Sequence, residues 1–185
     1  ILRLLQKLII TQSQGRAYDH ALRDAIELRR LLEADDPFNS RIFASLVLKI
    51  AGLQENIGNL KGAGESLETA LKKLASVGSM ASEEYLRLRF HSGILLSKQG
   101  ESRKAQFILE SIWLQLKDKL RKEPKSLLLL AAHANRMGHY IRAMRYLETC
   151  LGVLNAPEFE SSARIEPLIL MSAVFDKIRR PNESK

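Results

Sequence analysis

The sequence predicts an all-α protein, an α-solenoid of about four helix pairs closed by one further helix. Two observations carry that prediction. Apolar residues recur at helical spacing throughout, no stretch alternates as a half-buried strand would, and valine is scarce. A glycine also closes one apolar run, and five residues later an alanine stands early in the next, at Gly58/Ala63, Gly100/Ala105 and Gly138/Ala143. Ala21, in Tyr18-Asp-His-Ala, opens a fourth and weaker copy. Units that cannot bury an apolar face alone must stack on a neighbour, which builds an array.

The first pair spans about residues 2–35: a helix over 2–14 ended by Gly15, then a partner over 18–32. It stops in Ala34-Asp-Asp-Pro37, because proline disfavours helical geometry in the residue before it. Asn39 or Ser40 caps the next helix with a side-chain oxygen, opening the pair at 40–76. Ser82 opens the third pair, 82–122, with Glu84 near the positive end of the helix dipole. Pro124 suits a first helical turn, where its missing N–H would be unpaired anyway, and it begins the fourth pair, 124–155. The array therefore occupies 1–157. A helix within 158–178, starting near Ser161, caps it by covering the apolar face that the fourth pair leaves open, and 179–185 is a polar tail.

With 45% hydrophobic and 27% charged residues the composition is globular. The net charge of +8 is unevenly placed, since residues 1–86 hold 11 Lys/Arg and 11 Asp/Glu while 87–185 hold 18 and 10. A basic second half suits an acidic partner surface, an anionic membrane or a nucleic acid, or is a solvated face. The single cysteine, Cys150, permits no intrachain disulfide and no cysteine zinc cluster, which fits a reducing intracellular setting such as the cytosol. No apolar run approaches the roughly 20 residues of a membrane span. The chain opens at Ile1 inside a helical pattern, which reads as an excised or processed fragment and leaves room for a membrane anchor or targeting peptide outside it.

Nothing in the chain marks a catalytic centre. No two of its four histidines stand at the i, i+4 spacing of a helical zinc site. Cys150 occupies a small-residue helix position with no histidine or basic residue adjoining it in sequence, so a buried, inert thiol is expected. Gly62-Ala-Gly64 lies in a helix and cannot cradle a phosphate, and Asp35-Asp36 belongs to a helix-ending turn. The expectation is no enzyme, no cofactor, no metal and no small-molecule substrate.

Leu46-Val-Leu-Lys-Ile50-Ala51, Gly58, Leu60, Ala63, Leu67 and Ala70 resemble the tetratricopeptide repeat (TPR), as do Gly93, Gly100, Ala105, Leu109 and Ile112, and Leu127, Leu130, Ala131, Gly138, Tyr140, Ala143, Leu147 and Cys150. The resemblance covers 2–157 and implies a scaffold or adaptor that binds proteins. Equivalent alanines lie 42, 42 and 38 residues apart, longer than the family's usual repeat and similar to the extended repeats of kinesin light chains. The family's clamp of lysine, asparagine and arginine for chaperone tails would fall on Gln6, Ile10, Lys49, Arg87 and His91, where only scattered basic character survives. A finer resemblance lies in Tyr18-Asp-His-Ala-Leu-Arg-Asp-Ala, Asp36-Pro-Phe-Asn-Ser and Lys49-Ile-Ala-Gly-Leu-Gln-Glu-Asn-Ile-Gly58. It looks like fungal mitochondrial TPR adaptors of the inner-membrane i-AAA protease, and implies presentation of unfolded substrates.

By the same resemblance, first helices line a concave groove. Phe90, Ile94 and Leu128 would form its apolar floor, flanked by Arg87, Lys98, Asn135 and Arg136. Such a groove takes a peptide or partner subunit with apolar anchors and acidic flanks. Periodicity does not fix helix rotation, so Phe90 and Leu128 packed in the core is the competing placement. His139, Arg142 and Arg145 form a basic patch around the fourth turn, Arg142 and Arg145 sharing one helical face. The alternative function is attachment of the basic half to RNA or an anionic membrane; the few aromatics available for base stacking rank it second.

Overall fold

Ala21, Ala25, Leu28 and Leu32 step by four, three and four residues, which lays one stripe along a helix, and in the computed structural model that whole stripe is buried. The structure describes residues 17–33 and 39–179. They form eight α-helices and no strand: α1 (Tyr18–Glu33), α2 (Ser40–Asn56), α3 (Leu60–Ser76), α4 (Glu83–Lys98), α5 (Ser102–Leu120), α6 (Pro124–Arg136), α7 (Tyr140–Leu154) and α8 (Ile165–Arg179). The expected helix at 2–14, the Asp36-Pro37 turn and the tail beyond Arg179 lie outside the described residues. The chain divides into two compact units, 1–108 and 109–185, the division falling within α5.

In the N-terminal unit, the α1 stripe packs on Leu46, Ile50 and Leu53 of α2. Another side of α2, through Phe43, Val47 and Ala51, meets Ala63, Leu67, Ala70 and Leu74 of α3 and Leu88 and Leu95 of α4. Each leucine so enclosed contributes about 1.5–3 kcal/mol. The alanines matter for a different reason: Ala63 has no exposure, and a larger side chain there would push the helices apart. One polar pair is enclosed with them, Ser66 Oγ donating to Gln54 Oε1 at 2.9 Å across α2 and α3.

In the C-terminal unit, Ala131 and Ala134 of α6 pack on Ala143 and Leu147 of α7 and on Val174 of α8, with Leu170 and Met171 beside them. Trp113 of α5 meets Tyr146 of α7 edge to face at 5.3 Å between ring centroids. The last helix does cover α6 and α7, but it starts later than expected. Residues Ser161–Arg164 form a 3₁₀ turn and α8 begins only at Ile165. Pro167 explains this, because in a helix begun at Ser161 its ring would collide with the preceding turn, whereas at the third position no partner N–H is needed. The other side of α8 departs from a terminal cap, which normally turns a polar face outward. Ile165, Leu168, Ile169 and Phe175 are all exposed, Ile169 by 66%.

The repeated glycine is a helix stop. At Gly58 φ is +79°, and the turn closes with Asn59 N–H donating to the Gln54 carbonyl at 2.8 Å. His139 N–H donates to the Ala134 carbonyl at 2.8 Å around Gly138 in the same way. The following helix starts differently in the two places. Asn59 Oδ1 accepts from Gly62 N–H at 2.8 Å and caps α3, while His139 makes no side-chain cap on α7.

Candidate functional site

The seven groove residues expected from the sequence divide between the units. In the N-terminal unit, Phe90 and Ile94 are 2% and 3% exposed, so they are core residues and not an open floor. The correction follows from α4 itself. Leu88 and Leu95 pack on α2 and α3, and Phe90 and Ile94, on the opposite side of the helix, are buried as well, so α4 keeps no apolar side for a ligand. Arg87 is held by Glu83 one turn away, at 2.9 Å, and Lys98 is ion-paired with Glu55 of α2. In the C-terminal unit, Leu128 is half-buried beside the α6–α7 core. Asn135 Oδ1 accepts from Lys177 Nζ at 3.4 Å, and Arg136 is exposed at the end of α6.

The basic patch is brought together. His139, Arg142 and Arg145 line a cleft of about 560 Å³ at the α6–α7 turn, together with Tyr140, Ile141, Lys177 and Ile178. Among the described residues no carboxylate lines it. Arg142 Nη1 reaches Glu110 of α5 at 3.2 Å, but that pair is exposed and weak. Lys177 Nζ stands 5.8 Å from the Tyr140 ring centroid, and Ile141 is 69% exposed. With no side-chain cap, the first-turn N–H groups of α7 add the positive end of the helix dipole. The positive potential reaches into the core: burial first, and then the charges of Arg136, His139 and Arg142, hold the pKa of His133 below its ordinary value, against a smaller opposing pull from Glu110.

Sequence reasoning missed Lys177, Ile178 and Ile141 as members of this cleft. The signal for the first two was indirect: antiparallel return of α8 along α7 sets the last turn of one beside the first turn of the other.

A second cavity, of about 580 Å³, opens at the other end of the α6–α7 hairpin. Pro124 and Leu128 of α6, Leu154 of α7, Phe159 of the connection and Pro167 of α8 form its walls, with Lys122, Glu123, Lys125 and Glu166 around it. Cys150 lies against it, buried, its Sγ donating to the Pro124 carbonyl at 3.4 Å. Burial, and secondarily the Glu166 carboxylate, push the thiol pKa up, which keeps it protonated. Among the described residues no group of three or more His, Cys, Asp or Glu side chains could hold a metal ion, and no helix is long and apolar enough to cross a membrane.

No family model matches the chain, and no curated protein matches it in sequence. Solved structures do match. BtubC (BKLC) from P. vanneervenii aligns over 95% of this chain and 72% of its own, with a TM-score of 0.73 and 15% identity. Kinesin-light-chain TPR-like repeats from Podosopora anserina align over 98% of this chain and 89% of theirs, with a TM-score of 0.66 and 16% identity. The fold is TPR-like. A MamA double mutant from RS-1 shares it over 99% of this chain and 97% of its own, at a TM-score of 0.55 and 13% identity. At such identities the likeness concerns the TPR-like backbone, and the side chains of the two cavities are this chain's own.

Proposed function

We propose that the protein is a non-catalytic scaffold for protein–protein contact, and that the cleft at the α6–α7 turn takes an acidic segment of the partner anchored by an aliphatic side chain. The lining of that cleft carries the reading: His139, Arg142, Arg145 and Lys177, two open isoleucines and, among the described residues, no carboxylate. Desolvating an apolar anchor supplies affinity, while the cations set encounter rate and register. The TPR-like fold supports the reading, since helical-repeat arrays offer broad surfaces to other chains.

The test is a titration of the full chain with a labelled peptide of alternating glutamate and leucine. Arg142→Glu combined with Arg145→Glu should weaken binding about tenfold or more and reduce its salt dependence, with helical circular dichroism unchanged. Equal affinity in the double variant would remove the cleft from the assignment. Attachment to RNA or an anionic membrane draws on the same cations. Among the described residues Tyr140 is the one phenol or larger ring in the lining, beside the His139 imidazole, and Lys177 stands over it, so a base finds little open platform for stacking. Tighter binding of RNA or anionic vesicles than of the peptide, at equal salt, would put that second reading first. A narrower form, presentation of unfolded substrates to the mitochondrial i-AAA protease, rests on the residue pattern at 18–71 alone. Recovery of that protease with the full chain from mitochondrial extract is its measurement.

A further inference from the structure

The cavity at the start of α6 plays no part in that reading, and its chemistry is different. We propose that it binds a small amphiphile, an apolar chain ending in a carboxylate, of the medium-chain fatty-acid kind. Its volume of about 580 Å³ falls in the range of roughly 300–1,000 Å³ typical of small-molecule sites. Leu128, Leu154, Phe159 and Pro167 offer a continuous apolar wall, and covering such a wall with an alkyl chain releases water from both. Behind it, Cys150 is a neutral thiol already bonded to the Pro124 carbonyl, so the interior presents no charge.

The polar edge selects the head group. Lys122 and Lys125 line the cavity, both are exposed, and neither has an ion-pair partner among the described residues. Two carboxylates line it as well. Glu123 stands at the N-cap of α6 and accepts from Ser126 Oγ at 2.9 Å, and Glu166 stands in the first turn of α8. Each acid therefore lies at the positive end of a helix, which offsets its charge locally. The carbonyl end of α7 is covered in turn, Arg164 Nε donating to the Leu154 carbonyl at 3.1 Å. Lys125, in the first turn of α6 where a cation gains nothing from the helix end, remains uncompensated, and Lys122 joins it on the lining. The chain lies inward along the apolar wall, and the carboxylate meets Lys122 and Lys125.

Calorimetric titration of the full chain with decanoate, kept below its micellar concentration, tests this, with decanol as the uncharged control. Decanoate should bind one to one, and decanol about tenfold more weakly or worse. Lys122→Glu with Lys125→Glu should remove that preference while leaving decanol binding unchanged. Ala163→Trp, at an exposed wall position, should weaken both ligands. Because a tryptophan there can disturb the fold, the unaltered chain supplies a second readout: decanoate should slow labelling of Cys150 by a small apolar disulfide. Absence of decanoate binding would overturn the proposal. So would binding indifferent to the variants and without effect on Cys150 labelling. Failure of decanoate together with loss of an acidic, leucine-bearing peptide in Ala163→Trp would assign the cavity to a partner's side chain, and overturn it too.

Discussion

His133 is buried one turn before the cleft, and its folded pKa lies below the ordinary 6.5 through burial and the neighbouring cations. Between that depressed value and 6.5 the unfolded chain takes up a proton that the folded chain refuses. The stability contribution is therefore complete above pH 6.5 and declines as the pH falls through it. The melting temperature should drop on acidification from about pH 7.5 to 5, and His133→Gln should flatten that drop relative to the unaltered chain. An unchanged slope in the variant would assign the effect elsewhere. Phe90 tells a different story. Being buried, it should cost about 3–5 kcal/mol when replaced by alanine, read as a shifted urea midpoint. Peptide affinity of the remaining folded fraction should stay as it was, whereas a groove residue would lose affinity and keep its midpoint.

At the scale of elements, the two ends of a helix follow different rules, and glycine separates them. Gly138 holds φ at +72° beyond α6, where a Cβ is strained although no neighbouring atom crowds it. Gly138→Ala should cost about 1–2 kcal/mol. Gly152 lies inside α7 with nothing within 4 Å of an added Cβ, and Gly152→Ala should stabilise by about 0.5–1 kcal/mol. Opposite signs from one substitution type, measured by thermal melts, check both. This punctuation was legible in the residues: glycine five places before alanine marks three stops and the close crossings after them, at Gly58, Gly100 and Gly138, and Asn39 and Ser82 cap where side-chain oxygens predict. The rotation of α4 was not legible. Apolar residues on two sides of one helix leave its register open, and here both sides are buried, so a groove drawn through Phe90 and Ile94 chose the wrong surface.

For the whole molecule, the fold class followed from periodicity because helix pairs are local, each made within about forty residues. The cleft is less local. His139, Arg142 and Arg145 were visible as neighbours in the chain, but Lys177 and Ile178 reach them through the return of α8, and pairing across a connection leaves no mark in either segment alone. The apolar cavity is less visible still, since it is assembled from three helices and the loop before the last. One consequence lies in how the protein should behave in the test tube. The outward row on α8, Ile165, Leu168, Ile169 and Phe175, exposes oily surface that net positive charge keeps dispersed in dilute buffer. Sulfate both screens that repulsion and strengthens apolar association, so concentrated sulfate solutions should turn cloudy early and arginine-containing ones stay clear.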